Sequence, residues 1–386
     1  MPHKILVVDD EPDLELLIRQ KFRKKIRENE FEFIAAYDGQ QALNILKEKN
    51  GIDLILTDIN MPQMDGLTLL ENVRNLNNPL LKAIIISAYG DMENIRTAMN
   101  RGAFDFITKP INMEDLEITI YKTLQEVSNL KKALQDRDNF VALQQELEVA
   151  RNIQTSILPR NFKPFPDIDH FEIDAYIDTA KEVGGDFYDF FKIDDHRLGF
   201  VIGDVSGKGI PAAIFMAVSK TAIKTTAMRD LPVNECLHII NNALASESVM
   251  SMFVTAIYGI LNIITGEVQF CNAGHNYPYL LSNTGDVTCL TESGGIPLGY
   301  LENFIYDRHS IKLNPGDTLF FYTDGVSEAM NSESVEFSET RLKESLQNSN
   351  GSSLKEMVRG IVRNVKDFTG GIPQSDDITI LAIKYL

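Results

Sequence analysis

The chain has 386 residues, with 37 Lys+Arg against 55 Asp+Glu and a formal net charge of −18. Hydrophobic residues make up 44% and charged residues 24%, a globular composition that excludes a disordered chain, and the length predicts two domains plus a connector. A surface this acidic repels phosphate backbones and anionic lipid, so neither nucleic acid nor membrane is an expected partner. The N-terminus, Met1-Pro2-His3-Lys4 followed by four apolar residues and then acids, is not a signal peptide. Cys236, Cys271 and Cys289 show no CxxC spacing and read as reduced, buried thiols of a cytoplasmic protein.

Apolar strands and helical stretches alternate through the N-terminal segment. Ile5–Val8 precedes an amphipathic stretch from Pro12, and Phe33–Ala36 precedes Gln40–Lys47. Leu54–Leu56 precedes Leu67–Val73, Ala83–Ile86 precedes Met92–Asn100, and Phe106–Ile107 leads into a long helix. Five strands each followed by a helix predict a doubly wound parallel sheet, an α/β domain over residues 1–125. In such sheets chemistry gathers at the carboxyl ends of the strands.

No Gly occurs between Gly102 and Gly184, and no Pro between Pro110 and Pro159. Ile120, Val127, Leu134 and Val141 recur every seven residues beside Leu116, Leu124 and Leu130; the stripe then shifts phase to Leu143, Leu147, Ala150, Ile153 and Ile157. This predicts a helical linker over residues 126–158 with a coiled-coil seam and a stutter, expected to pair two chains as a homodimer. A helix packed on its own domain is the alternative. Charge divides at the same place: net −6 over residues 1–120, 0 over 121–158 and −12 over 159–386.

Beyond the linker, Phe171–Ile177, Leu198–Val205, Val254–Ile264, Val268–Asn272 and Asp317–Thr323 read as strands, with Gly266 as a hairpin turn. The uncharged stretch Ser248 to Gly266 holds polar and β-branched residues and reads as strand rather than membrane span. Pro211–Met228, Val233–Ala245 and Leu354–Phe368 read as helices, the first of them mostly core. Grouped strands and helices predict an α+β sandwich over residues 159–386.

Polar groups close four of the five N-terminal strands: Asp9 and Asp10 after the first, Asp58 after the third, Ser87 after the fourth, Lys109 after the fifth. Three carboxylates brought together repel one another unless a hard cation such as Mg²⁺ holds them. One of them can then attack a phosphoryl group, with Lys109 and Ser87 binding its oxygens. The segments VVDDE, LILTDINMPQMDG, IIISAYG and FITKP resemble the receiver domain of bacterial two-component response regulators, over about residues 3–125. The resemblance implies that Asp58 accepts phosphate from a histidine kinase and that Asp9 and Asp10 support Mg²⁺ with the Asn60 carbonyl. It also places Ser87 and Phe106 as the switch pair, with Phe106 where a Tyr is usual.

Four short acidic motifs mark the C-terminal segment: Glu182-Val183-Gly184-Gly185-Asp186, Gly203 to Gly209 around Asp204, Thr323-Asp324-Gly325, and Ser375-Asp376-Asp377-Ile378-Thr379. All-oxygen ligation suits Mg²⁺ or Mn²⁺ rather than zinc. The GKG at Gly207–Gly209 lacks the spacing and the Ser/Thr of a phosphate-binding P-loop. GGDF, at Gly184–Phe187, lacks the surroundings of a diguanylate cyclase. ARNIQTSILP, EVGGDFYDF, GDVSGKGIPAA, CNAGHNYPYLL, GIPLG, FFYTDGVSEA and DDITILAIK together resemble the metal-dependent serine/threonine phosphatases of the PPM superfamily, in the RsbU and SpoIIE branch, over about residues 145–386.

That resemblance implies a four-layer β-sandwich flanked by helices, with two Mn²⁺ or Mg²⁺ ions between the sheets. Asp186, Asp204, Asp324 and Asp376 would ligate through side chains and Val205 through its carbonyl, with Asp377 an adjacent alternative. Ser206 stands where many eukaryotic members carry a histidine proposed as general acid. His275, in the turn after a strand, reads as structural. The implied whole is a multidomain response regulator whose output is a protein phosphatase acting on a phosphorylated STAS-domain anti-sigma-factor antagonist. A non-catalytic adaptor is the alternative.

Overall fold

The computed structural model describes every residue except Met1, 89–90, 166–169, 248–251 and 292–293, and the side chain of Glu247. Two compact units divide the chain, Met1–Leu143 and Gln144–Leu386.

In the first unit, β1 (His3–Val8), β2 (Phe31–Ala36), β3 (Ile52–Asp58), β4 (Lys82–Ala88) and β5 (Asp105–Lys109) form one parallel sheet in the order β2-β1-β3-β4-β5. Strand alternation sorts the apolar residues onto two faces. Ile5, Val7, Leu54, Leu56, Ile84 and Ile86 enter one core, while Leu6, Val8, Ile55, Ala83 and Ile85 enter another. The helices that cover these faces are α1 (Pro12–Lys21), α2 (Arg23–Arg27), α3 (Gly39–Glu48), α4 (Gly66–Asn75), α5 (Met92–Asn100) and the start of α6 (Met113–Ile157). Asp38 and Asp65 cap α3 and α4 by accepting from the backbone N–H three residues on, at 2.8 and 2.6 Å.

Helix α6 runs unbroken for 45 residues. Its stripe does not form one continuous seam. Leu116, Ile120, Leu124 and Val127 are buried, the first three in the receiver-side core. Lys131 then reaches the buried Asp53 of β3 at 2.5 Å. Farther along, Phe140, Val141, Leu143, Val149 and Ile153 are exposed.

The second unit stacks two five-stranded antiparallel sheets. One has the order β13-β10-β9-β8-β7, from β7 (Phe187–Lys192), β8 (Arg197–Val205), β9 (Val254–Asn262), β10 (Glu267–Ala273) and β13 (His309–Lys312). The other has the order β12-β11-β14-β15-β6, from β6 (Phe171–Asp178), β11 (Tyr279–Leu281), β12 (Val287–Cys289), β14 (Thr318–Tyr322) and β15 (Ile378–Tyr385). Leu319, Phe321, Leu381 and Ile383 face the first sheet, where Phe200 and Phe321 approach to 5.2 Å between ring centroids. Phe320, Tyr322, Ile380 and Ala382 face the other way, onto α11 (Leu354–Thr369). The first sheet is covered in turn by α7 (Ile210–Ala227) and α8 (Val233–Glu247); α9 (Asp324–Ser327) and α10 (Ser338–Asn348) complete the set. The result is a helix–sheet–sheet–helix sandwich.

Several elements are invisible to periodicity. β7 is buried at five of its six positions and its charge-bearing sequence FYDFFK does not alternate. β11, β12 and β13 have only three or four residues each. Cys236 and Cys271 are buried free thiols, but Cys289 is half-buried on the short β12, so the expectation of three buried thiols holds for two. Of the uncharged stretch, Val254–Asn262 is strand, while Ser248–Ser251 lie outside the described residues. No helix among the described residues is long and apolar enough to cross a membrane.

Candidate functional site

Two acid-lined sites stand at strand ends, one in each unit. In the first, β1 delivers Asp9 and Asp10 and the neighbouring β3 ends in Asp58. Ligand atoms of these three carboxylates lie within 4.8 Å of one another. Asp9 and Asp58 are buried; Asp10 and Asn60 are exposed at the rim. Lys109, at the end of β5, donates to Asp58 Oδ2 at 2.8 Å and Asp9 Oδ2 at 3.2 Å. Burial lowers the Lys109 pKa, but the hydrogen bonds and charges of Asp58 and Asp9 outweigh it and hold the ammonium above its usual value. Burial, aided by the charge of Asp58, raises Asp9 against the opposing Glu11 N–H and Lys109. Ser87, 1% exposed, has no hydrogen-bond partner for its hydroxyl among the described residues, whereas Phe106 is 37% exposed. The pocket therefore brings together three acids, a lysine and the end of β4. A hard cation fits it, because three carboxylates share one lysine and one of them still faces solvent.

In the second unit Asp186 opens β7, Asp204 lies near the end of β8, Asp324 follows β14 and Asp376 precedes β15. Asp186 is buried, and burial first, then the charges of Asp204 and Asp377, push it well above the usual carboxylate range. Asp204 is pushed up to about 7 by burial and by the charges of Asp324, Asp376 and Asp377, against a hydrogen bond with Asp186. Asp324 is raised by burial and then by Asp376. Among the described residues one lysine pairs with the cluster: Lys208 lies 2.8 Å from Asp376 and donates to the Ser375 carbonyl at 2.6 Å. Among the described residues no three carboxylates here lie as close together as the receiver trio. Ligands divided between two ions about 3.5–4 Å apart spread in that way, and the all-oxygen donor set suits Mg²⁺ or Mn²⁺.

The supporting contacts separate the two adjacent acids. Both Asp377 oxygens are taken by backbone: Oδ1 by Ala180 N–H at 2.8 Å, Oδ2 by Gly185 N–H at 2.8 Å and Asp186 N–H at 3.4 Å. Asp376 keeps one oxygen on Lys208 and gives the other to the Asp377 N–H at 2.9 Å. Thr323, fully buried, accepts from Thr379 N–H at 3.0 Å, so its own proton goes to Asp186 Oδ2 at 2.7 Å. Ser206 is held in a turn: its hydroxyl accepts from Phe253 N–H at 3.0 Å. His275 Nδ1 lies 2.9 Å from Thr255 Oγ1, and Asn272 brackets its backbone. Burial drives its pKa down to about 4, the Tyr322 carbonyl nearby offsetting this only in part. A cavity of about 420 Å³ lined by His275, Asn276 and Tyr277 reaches Asp204 and Asp324.

Motif reading located the acids but missed three buried polar contacts of this unit: Thr323 on Asp186, a buried Asp189–Lys220 ion pair at 2.5 Å between β7 and α7, and Gln154 on Gly184. The first and last sat inside motifs whose acids or overall likeness drew the attention. Asp189 carried the signal of an acid in an otherwise aromatic strand.

A five-stranded parallel sheet with an aspartate–lysine pocket, joined through a long helix to a sandwich with clustered aspartates, defines a response regulator with a phosphatase-type output domain. Residues 5–121 match the response regulator receiver domain, and residues 194–386, half the chain, match the family of stage II sporulation protein E (SpoIIE). The chain belongs to that family. Protein IcfG of Synechocystis sp. is 31% identical over 265 residues, 62% of this chain and 41% of its own length. The phosphoserine phosphatase RsbU of Bacillus subtilis is 27% identical over 259 residues, 65% of this chain and 75% of its own. The SiaA-PP2C domain of Pseudomonas aeruginosa superposes with a TM-score of 0.57 at 23% identity, covering 64% of this chain and 99% of that domain, and shares its fold. The chain thus spans less than half of IcfG and three quarters of RsbU.

Proposed function

We propose that phosphorylation of Asp58 by a cognate histidine kinase raises the activity of a metal-dependent serine/threonine phosphatase carried by the second unit. The observation that supports this most is the paired acid sites: one compact and already served by a lysine, the other spread and short of cations. In the receiver, Asp58 is the phospho-acceptor and attacks phosphorus as the bond to the kinase histidine breaks. Asp9, Asp10 and Asp58, with the Asn60 carbonyl, hold Mg²⁺. Lys109 balances charge on the phosphoryl oxygens, and the unpartnered Ser87 hydroxyl turns to one of them, with Phe106 following.

In the phosphatase unit, Asp186, Asp204, Asp324, Asp376 and the Val205 carbonyl would hold two Mn²⁺ or Mg²⁺ ions. Asp377 fixes the loop in front of Asp186 through the N–H groups of Ala180 and Gly185. When bound, such ions would supply the attacking hydroxide and offset the negative charge on the phosphoryl oxygens. Lys208 offers a cation at the edge where a phosphoryl oxygen arrives. His275, neutral at physiological pH, keeps the Thr255 hydroxyl in place beside the Asp204 backbone.

The substrate is read as a phosphoserine on a STAS-domain anti-sigma-factor antagonist, by analogy with RsbU, whose name states phosphoserine phosphatase activity. The receiver spans 1–125, the linker 126–158 and the phosphatase 159–386. The exposed Phe140, Val141, Leu143, Val149 and Ile153 of the linker pair two chains, in the cytoplasm. Metal removal tests the enzymatic core. Chelator-treated protein given a phosphorylated STAS protein should release no phosphate, and Mn²⁺ should restore release. Release that persists without metal would contradict the reading.

A further inference from the structure

The loop from Gly294 to Tyr306 runs from the phosphatase cavity to α8 and is held firmly from within. Leu298 and Tyr306 are buried, Phe304 packs against the same core, and Leu298 exchanges backbone hydrogen bonds with Val254 at 2.7 and 2.9 Å. Helix α8 fixes the outward turn. Asn241, fully buried, donates to the Leu301 carbonyl at 2.7 Å and accepts from the Gly299 N–H at 2.9 Å. Asn242 accepts from the Asn303 N–H at 2.7 Å and donates to His238 Nε2 at 3.2 Å. That leaves the proton of His238 on Nδ1, which donates to the Phe304 carbonyl at 2.9 Å.

What this frame holds out is apolar. Tyr300 is 68% exposed, Leu301 56% and Ile305 77%, and the loop's only charged residue is Glu302. A single exposed apolar residue is ordinary. Three on one turn, already ordered by buried amides, mark a contact surface that loses little further freedom on binding. Its place in the fold says what the surface meets. Gly294 and Gly295 line the cavity that reaches Asp204 and Asp324. Ser206, directly after Asp204 and Val205, exchanges hydrogen bonds with Phe253 at 2.9 and 3.0 Å, and the Phe253 ring meets Tyr300 edge-on at 6.1 Å between centroids. A phosphoserine side chain is short, so a protein whose phosphate reaches those aspartates brings its own surface down onto the rim of the cavity. Apolar contact there attracts a phosphoprotein that a chain of net charge −18 would otherwise repel.

We propose that Tyr300, Leu301 and Ile305 form the docking surface for the phosphoprotein substrate and take up an apolar patch that flanks its phosphoserine. The occupant is the substrate rather than a second copy of this chain, because the surface is continuous with the cavity that the phosphate must enter. This rests on the reading of the second unit as a phosphoprotein phosphatase. None of the three residues touches the reacting atoms; they set which phosphoproteins are held for hydrolysis.

The test compares two substrates on the full chain with Mn²⁺: a phosphorylated STAS protein, and p-nitrophenyl phosphate, which has no protein surface to dock. Leu301→Asp and Ile305→Asp place charge on side chains that lie outside the core, and Tyr300→Ala removes contact area without adding charge. Each should raise KM for the phosphoprotein about 10-fold or more with kcat retained, and leave kcat/KM for p-nitrophenyl phosphate at the wild-type value. A loop that only supports the site would lower turnover of both substrates alike, and that result overturns the docking surface, as does an unchanged KM. Sedimentation of the same variants tests the other occupant: loss of a wild-type dimer with KM unchanged overturns the proposal in favour of a second copy. Wild-type protein that releases phosphate from neither substrate overturns the phosphatase reading itself.

Discussion

The two acid sites solve one electrostatic problem in opposite ways. The receiver trio lies within 4.8 Å, yet Lys109 contacts two of its three members, so the pocket carries its own counter-charge. The phosphatase cluster has Lys208 on Asp376 alone, and Asp186, Asp204 and Asp324 are all driven up by burial and mutual repulsion. A pocket with a built-in cation is ready for transient phosphorylation and a weakly held ion. A buried cluster with a single lysine at its edge is short of positive charge, which the metals of the proposed function would supply.

The largest break in that comparison should come from Asp204→Asn. Removing a carboxylate from the cation-poor cluster should lower phosphate release about 1000-fold while leaving receiver phosphorylation at the wild-type extent, both followed on the same preparation. Loss of both activities would show the sites are not separable.

A smaller contrast concerns acid. His275 sits in the phosphatase unit with its pKa pushed down to about 4 from an ordinary 6.5. The folded state therefore keeps it neutral where the unfolded chain binds a proton. Its contribution to stability is complete above about pH 6.5 and is lost as pH falls toward 4, amounting to about 3 kcal/mol. The buried acids with raised pKa values act in the opposite sense, so the comparison must be with His275→Gln. That variant should flatten the fall in unfolding free energy of the phosphatase transition between pH 6.5 and 4. An unchanged slope would contradict the burial of a neutral imidazole.

The smallest effect should come from Lys131→Met. Asp53 keeps His3 Nδ1 at 3.1 Å and the Lys4 N–H at 3.3 Å when the lysine is gone. The receiver transition should lose about 1 kcal/mol in urea unfolding, and the phosphatase transition nothing. A change in the second transition would mean the two units do not unfold separately.

The parallel sheet was legible because its strands are buried on both faces and read as short apolar runs such as Ile5–Val8 and Ala83–Ile86. Asp9, Asp58 and Lys109 follow from the rule that chemistry sits at carboxyl ends of such strands. The sandwich was less so. β7 has no alternation because both its faces are covered, and β11, β12 and β13 are too short to carry a period. The heptad pattern of α6 could not tell receiver core from exposed helix: Ile120 and Val127 are buried in the first unit, and Val141 is exposed. Gln154 and Thr323 escaped because a hydrogen bond across 30 or 137 residues leaves no local trace in sequence. The backbone contacts of Asp377 to Ala180 and Gly185 are likewise too distant in sequence to be read from it.

The most direct test of the account measures phosphate release from a phosphorylated STAS protein at saturating Mn²⁺, with and without beryllofluoride, for the wild-type chain and Asp58→Asn. The account predicts faster release with beryllofluoride in the wild type and the same unstimulated rate with or without it in Asp58→Asn. Equal rates for the wild type under both conditions would contradict it.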